Sequence, residues 1–244
     1  MKAVKALVLG LMSAGLVVGA ASFALADPVS GQRDAAQWLQ QWHRAASSVP
    51  YAGTIAMTGA RRDLRSARVW HATENGHQIE RVDLLSGPAR SMYRTDNTIY
   101  AFDHTTKTAR VRQNMPAFGT MIPGMVPLVH EQTVQFGRYY KALNQGQERV
   151  ANQDADVVLL QPQDQLRYGY RLWSDRRTGL LLKWQMLPDA KNTHNVLREV
   201  AFSDVQIGAP LRYSAIEDML RQQSSYPVQS STMQNVTLVQ KGWQ

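Results

Sequence analysis

From Tyr51 onward, the chain consists largely of short segments in which apolar and polar residues alternate. Successive side chains of a β-strand point to opposite faces of a sheet, so a period of two is typical of half-buried strands. Asn75-Gly76 separates two of these segments and favours a tight hairpin, because both turn positions tolerate positive φ. Such segments, joined by short turns, predict a mainly β (α+β) fold built on a meandering antiparallel sheet or barrel. The segments that we interpret as strands are 51–57, 66–72, 78–84, 98–102, 108–111, 157–160, 168–173, 180–184 and 197–202.

One clear helix is predicted before the first strand, over residues 33–47. Its apolar residues recur at three- and four-residue spacing and form one stripe: Ala35, Trp38, Leu39, Trp42 and Ala46. Asp34 is expected in its first turn, where the helix dipole favours an acid. Two tryptophans on one side indicate a helix that packs against the sheet. A second, weaker helical pattern covers residues 133–143.

The N-terminus has the pattern of a secretory signal peptide. Two lysines in the first five residues precede an uncharged apolar run, and the run ends in Ala24-Leu25-Ala26. We expect cleavage after Ala26 and a periplasmic protein; a membrane anchor is the alternative interpretation. Removal of residues 1–26 takes away two lysines and no acid, which lowers the net charge from +8 to +6. A basic exported protein favours anionic partners, although the charge also suits solubility alone.

The sequence carries no recognisable catalytic or cofactor motif. It has no cysteine, which excludes disulfides, thiol catalysis and cysteine-bound metal. Its six histidines lack the spacing of a metal site, and no nucleophile elbow or glycine-rich phosphate loop occurs. We therefore expect a binding protein, not an enzyme, with no metal and no cofactor. Nucleic acid is a poor partner for an exported protein.

Three groups of residues are candidates for binding. Four arginines lie within eight residues and suit carboxylate or phosphate: Arg61, Arg62, Arg65 and Arg68. They form either a docking patch for an anionic partner or a solvated hairpin tip. A proline- and glycine-rich apolar segment either covers the core or lines a ligand cavity: Met115, Phe118, Met121, Ile122, Met125 and Leu128. Three strand tryptophans either belong to the core or line the inside of a barrel: Trp70, Trp173 and Trp184.

Several segments, in order, resemble one protein family. Residues 168–175, Tyr-Gly-Tyr-Arg-Leu-Trp-Ser-Asp, and the following Thr178–Lys183 resemble its "YxYRLWxD…TGLxL" hairpin. The helix with Trp38-Leu39 that leads to Tyr51-Ala52-Gly53-Thr54 is similar to its opening, and Val200–Gly208 resembles the end of its large domain. The family is RseB/MucB, periplasmic regulators of the envelope-stress sigma factor.

The resemblance implies a half-open antiparallel β-barrel with an N-terminal packing helix, similar to the lipoprotein carriers LolA and LolB. After the signal peptide (1–26), it implies a large lipid- and partner-binding domain (27–222) and, beyond a Ser/Gln-rich segment that we interpret as a linker (223–234), the start of a truncated C-terminal domain (235–244). Such a protein binds the periplasmic segment of an anti-sigma factor, shields it from proteolysis and senses acyl chains of lipopolysaccharide or lipoprotein. It is peripheral to the membrane at most. The alternative on the same fold is a periplasmic lipid or lipoprotein carrier of the LolA/LolB type.

Overall fold

An antiparallel sheet of eleven strands dominates the part of the chain that the computed structural model describes, residues 33–58, 63–113, 133–188 and 195–229. The strands are β1 (Tyr51–Thr58), β2 (Leu64–Glu74), β3 (His77–Leu84), β4 (Arg90–Thr95), β5 (Thr98–Asp103), β6 (Thr108–Arg112), β7 (Tyr140–Val150), β8 (Gln153–Pro162), β9 (Gly169–Asp175), β10 (Leu181–Leu187) and β11 (Arg198–Ile207). The helices of these residues are α1 (Ala35–Ser48), α2 (Thr133–Tyr139) and α3 (Tyr213–Arg221). The expected mainly β fold with an N-terminal helix is confirmed.

The strand order shows how the sheet is assembled. It runs β6-β5-β4-β3-β2-β1-β11-β10-β9-β8-β7, so all neighbouring strands are consecutive in the sequence except β1 and β11. The sheet is therefore two meanders, β1–β6 and β7–β11, joined along the first and last strands. Strands β6 and β7 remain at opposite edges and the sheet does not close. This arrangement confirms the expected half-open antiparallel barrel.

Helices α1 and α2 pack on one face of the sheet, which we call the α1 face. The Phe136 ring of α2 stacks on the Tyr140 ring with the ring centroids 4.8 Å apart. The centroid of the Tyr140 ring lies 6.1 Å from that of Tyr170 in β9. Helix α1 contacts both α2 and β10. The main hydrophobic core lies between these helices and the sheet, and includes the fully buried Ile55 and Trp184.

Helix α1 is fixed at its start by a capping box. The Asp34 carboxylate accepts a hydrogen bond from the Gln37 amide at 2.8 Å, and the Gln37 side-chain oxygen accepts one from the Asp34 amide at 2.9 Å. Asp34 is thus the N-cap residue, one position before the first turn in which the sequence analysis placed it. The predicted apolar stripe is buried, and the Trp38 and Trp42 rings stack 5.8 Å apart.

Helix α3 packs on the opposite face, which we call the α3 face. Its buried residue, Ile216, joins a second hydrophobic cluster with side chains from β2–β6: Ala72, Ile79, Tyr93, Phe102 and Ala109. Helix α3 contacts β2 and β3. Helices α1 and α2 therefore contact the second meander, through β7 and β10, whereas α3 contacts the first meander on the opposite face.

The helix predicted over residues 133–143 is correct up to Tyr139 and wrong beyond it. From Tyr140 the chain pairs with β8, with Ala142 opposite Leu160 and Leu143 opposite Leu159. The side chains of Tyr140 and Leu159 are buried as a result. Strand pairing and burial outweigh a helix preference that Gly137 already weakens.

Gly53 allows the two meanders to join. At this position β1 and β11 approach so closely that a Cβ atom would lie 2.4 Å from the Asp204 carbonyl oxygen and 3.0 Å from the Phe202 ring. The register shifts between Thr54 and Ile55, one residue further along. A side chain here would force the central strand pair apart, which is why glycine is required.

We predict that Gly53→Ala lowers the free energy of unfolding by about 1–3 kcal/mol, the usual cost of overpacking a core. Gly137→Ala is the matched control, because a Cβ there would meet Ala36 at an ordinary 3.6 Å and α2 would gain helix propensity. Urea denaturation monitored by tryptophan fluorescence measures both. Equal stability of the two variants would contradict this account of Gly53.

Candidate functional site

A row of buried polar side chains crosses the α1 face. The strand register places Tyr51 opposite His71, His71 opposite Glu80, and Glu80 opposite Arg94. None of the four is more than 5% exposed. The Tyr51 hydroxyl donates to Glu80 Oε1 at 3.2 Å, and His71 Nδ1 donates to the Val49 carbonyl at 2.8 Å. The Tyr51 and His71 rings stack 5.1 Å apart.

The charges of Glu80 and Arg94 depend on each other. Burial lowers the pKa of Arg94 below its usual value, and the nearby carboxylate of Glu80 counteracts that effect. A buried cation is costly unless an anion and hydrogen bonds compensate for lost hydration. The Arg94 guanidinium also donates to the Asp96 carbonyl at 3.3 Å. The row therefore forms a buried polar part of the core of the first meander, and its role is structural.

Next to this row, an open cavity of about 410 Å³ lies at the end of the sheet formed by β3–β6. Its floor is apolar and consists of Leu84, Met92 and Ala101. Met92, Ala101 and Arg110 lie opposite one another on neighbouring strands, so they face the same side of the sheet. The same register places them beside Val82, on the α1 face.

The rim of the cavity is polar and includes two arginines. Arg90 forms an ion pair with Asp103 at 3.0 Å. The pKa of Asp103 is held below its usual value by the Thr106 amide, and then by Arg90 and the Thr105 amide, which outweigh desolvation. Arg110 is exposed and forms no ion pair within the described part of the chain. An apolar floor beside an uncompensated cation suits an amphiphilic anion.

The three tryptophans singled out from the sequence do not face one side of the sheet. Trp184 lies opposite Leu172 and Val200, whereas Trp173 follows Leu172 in β9 and so faces the other side. Trp173 is buried, and its indole nitrogen donates to Glu148 at 2.8 Å. Trp70, opposite Arg81, joins the cluster of the α3 face and is partly exposed.

Arginines surround Trp70. The Arg81 guanidinium lies 5.1 Å from the centre of its ring and that of Arg68 lies 5.6 Å from it. Arg65 is exposed and pairs with Asp63 at 2.9 Å. Of the predicted anionic-partner patch, the structure thus brings Arg68 to Trp70. Arg61, Arg62 and the apolar residues at 115–128 lie outside the described residues, so their predicted roles remain predictions.

The described residues contain neither a candidate metal site nor a candidate membrane-spanning helix. No group of three or more histidine, aspartate or glutamate side chains within them has the geometry to hold a metal ion. No helix in the same residues is long and apolar enough to span a membrane.

Comparison with known proteins assigns the fold to a family. Residues 34–225 match the family described as MucB/RseB N-terminal domain. The chain belongs to this family. It is 25% identical over 181 residues to the sigma-E factor regulatory protein RseB of Salmonella typhimurium, covering 74% of this chain and 53% of the relative. It is 26% identical over 186 residues to the sigma factor AlgU regulatory protein MucB of Pseudomonas aeruginosa, covering 76% of this chain and 54% of that relative. The chain thus spans about half the length of these relatives.

Solved structures agree with this assignment. A crystal structure of MucB in complex with MucA(peri) superposes with a TM-score of 0.56 at 25% identity, covering 75% of this chain and 59% of that one. A conserved protein from Thermus thermophilus shares the fold with a TM-score of 0.51 at 14% identity, covering 79% and 96%. The resemblance inferred from the hairpin at 168–183 and the opening helix is confirmed.

Sequence reasoning missed both the polar row and the cavity. Glu80 and Arg94 occupy strand positions where charged residues are usually read as solvent-facing. Arg90, Asp103 and Arg110 come together only because three adjacent strands are in register. The alternation of Ala109 and Val111 with Arg110 and Arg112 was the available signal, since it places both arginines on one face of β6.

We predict that Glu80→Gln lowers the free energy of unfolding by about 3–5 kcal/mol, because the buried cation of Arg94 loses its cross-strand anion. Adding Arg94→Met should recover part of this loss, so the double variant is more stable than additive effects imply. Denaturant titrations of the two single variants and the double variant measure the coupling.

The matched control is Glu74→Gln, at the exposed end of β2. Its effect should stay within about 0.5 kcal/mol. Strictly additive effects of Glu80→Gln and Arg94→Met would show that the two charges do not compensate each other.

Proposed function

We propose that this protein is a periplasmic regulatory binding protein that binds the periplasmic segment of an anti-sigma factor. The observation that carries the proposal is the likeness of three quarters of the chain to MucB in its complex with MucA(peri). The names of its relatives, regulatory proteins of sigma-E and of AlgU, support the same pathway. The signal-peptide pattern that ends at Ala26 supports the compartment.

The proposed activity is binding and not catalysis. A bound anti-sigma segment is sheltered from the protease that starts its degradation, and the sigma factor stays inhibited. Relief requires a ligand that prefers the unbound form of the regulator, because a ligand that binds both forms equally shifts nothing. Lipid chains from lipopolysaccharide or mislocalised lipoprotein are the proposed ligands.

The cavity at β3–β6 supports the lipid part of the proposal. Its apolar floor would remove acyl carbons from water, at about 0.8 kcal/mol for each CH₂ group. The exposed guanidinium of Arg110 at its rim suits a phosphate or carboxylate. We also propose acyl contacts for the apolar residues at 115–128 and for the partly exposed Trp70, whereas the burial of Trp173 and Trp184 favours the core alternative for those two.

The cavity also favours a second candidate, a periplasmic carrier of lipids or lipoproteins. A carrier and a regulator would both bind acyl chains, so lipid binding alone does not separate them. Transfer of a lipoprotein from donor to acceptor vesicles in the presence of this protein would favour the carrier. Transfer at the rate seen without protein, together with anti-sigma binding, would favour the regulator.

We predict that the purified protein retains the periplasmic segment of its cognate anti-sigma factor in a pull-down. We also predict that the bound segment is cleaved at least about tenfold more slowly by its site-1 protease, because only the unbound fraction is accessible. Quantified cleavage time courses with and without the protein provide the measurement.

Because the chain spans about half the length of its relatives, the control is a chimera in which the remaining part of a full-length relative follows residue 244. If the chimera binds the anti-sigma segment and the unaltered chain does not, part of the contact belongs to the added segment. If neither protein retains the anti-sigma segment, the regulatory proposal fails.

We predict that Ala101→Phe weakens binding of a fluorescent phosphorylated lipid at least tenfold, because the added ring occupies the floor of the cavity. Thr54→Phe is the control, since Thr54 lies on β1 away from the cavity. Fluorescence titration of both variants gives the affinities. Unchanged affinity of Ala101→Phe would place the lipid elsewhere.

A further inference from the structure

The outer edge of β6 is occupied by the chain's own backbone. After α3, the segment Gln223–Gln229, which we call the strap, returns along β6. The Ala109 amide donates to the Pro227 carbonyl at 3.0 Å, and the Gln229 amide donates to the Ala109 carbonyl at 2.7 Å. These two bonds make a parallel bridge between Ala109 and Val228. The edge of β6 therefore accepts an extended peptide running parallel to it.

Two side chains anchor the strap on the α3 face. Tyr226 packs edge-on against Phe102 with the ring centroids 5.8 Å apart, and its hydroxyl lies 3.2 Å from His104 Nδ1. The Gln223 amide group donates to the Tyr93 hydroxyl at 3.0 Å and accepts from Ser91 Oγ at 3.2 Å. The recognition elements are thus an aromatic ring with a hydroxyl, and an amide three residues before it.

The strap is attached lightly compared with the strands beside it. Val228 is 60% exposed, and Pro227 and Gln229 are also exposed. Helix α3 holds the sheet separately through Ile216. Segments with few buried contacts and exposed backbone hydrogen bonds open at low free-energy cost. The strap can therefore leave β6 while the cluster under α3 stays formed.

The charge of this edge does not match its present occupant. Lys107, Arg110 and Arg112 are exposed along β6 and the turn before it. Within the described residues none of these three forms an ion pair. The strap, with the sequence Gln-Ser-Ser-Tyr-Pro-Val-Gln, carries no acid. Gln229 lines the same cavity as Arg110, so an acidic side chain at its position would come close to that guanidinium.

We propose that the edge of β6 is a docking site for an extended acidic peptide that carries an aromatic residue, and that the strap occupies this site in the absence of the peptide. The peptide would add a parallel strand to β6, place its aromatic ring against Phe102 and His104, and pair its acids with Arg110 and Arg112. Addition of a strand to an exposed sheet edge is an established mode of peptide recognition. Charge complementarity favours the acidic peptide over the neutral strap.

The strap competes as an intramolecular ligand. A short tether gives it an effective concentration on the order of millimolar at the β6 edge. A neutral copy of the strap supplied at micromolar concentration is therefore expected to bind poorly to the unaltered protein. An acidic copy, or a protein with a weakened strap, should bind measurably.

The test uses the full chain and two fluorescent peptides. One peptide copies residues 223–229, and the other carries Gln229→Glu followed by two further glutamates. The strap-release variant is Tyr226→Ala/Gln229→Pro, which removes the aromatic anchor and the amide that bonds Ala109. Gln229→Ala is the matched control, because it shortens the side chain and keeps the amide. If the double variant melts at a lower temperature than the unaltered protein, Gln229→Pro alone replaces it as the strap-release variant.

We expect the strap-release variant to bind the acidic peptide at least tenfold more tightly than the Gln229→Ala variant binds it. We also expect the strap-release variant to bind the acidic peptide at least tenfold more tightly than the neutral peptide. Adding Arg110→Gln and Arg112→Gln should remove the difference between the peptides, as should high salt. Equal binding of both peptides, or binding that does not depend on the strap, overturns the proposal. So does binding to anionic vesicles with no binding of either peptide.

This inference goes beyond the regulatory function proposed above and does not depend on it. Synthetic peptides alone decide it, so a negative result leaves the anti-sigma pull-down as an independent test.

Discussion

The pairing of β1 with β11 is the interaction on which the rest of this structure depends. It joins two meanders that are each built from local hairpins, and it connects residues about 150 positions apart in sequence. Closing so long a loop has an entropic cost that the hairpins do not have. Burial of Ile55 against Phe202 and Val200 offsets that cost, and Gly53 permits the approach. Without this pair, the core under α1 would be divided between two half-sheets.

Once the sheet is joined, its two faces acquire different properties. The α1 face combines an apolar core with the polar row from Tyr51 to Arg94, and the α3 face is aromatic. A polar row in a core contributes little net stability, because desolvation opposes the attraction between charges. It does specify register, since a slip of one residue would turn Glu80 and Val82 away from the α1 face and separate Glu80 from Arg94. The row therefore helps select one pairing among several that apolar alternation alone would permit.

The sequence was most informative where local pattern and tertiary packing agree. The alternating segments, the Asn75-Gly76 hairpin and the stripe on α1 all reappear, because each buries the residues that its periodicity places on one side. Strand β4 was missed, since Arg90 and Arg94 interrupt its alternation and only the fold shows that Arg94 is buried. Helix α3 was missed because it buries one residue, Ile216. Trp173 and Trp184 face opposite sides of the sheet because of the register between β9 and β10, and the composition of these segments does not specify that register.

The two edges of the open sheet are protected by different means. Strand β7 has a register shift between Asn144 and Gln147, with Gly146 at φ +88°, followed by the charged Glu148 and Arg149. A bulge and charges discourage the addition of another strand. Strand β6 has no register shift in its pairing with β5 and is covered by the chain's own backbone at Ala109. A bulge is a permanent feature of a strand, whereas a covering segment can be exchanged. The half-open sheet therefore keeps one edge closed to further strands and leaves the other able to bind a strand reversibly.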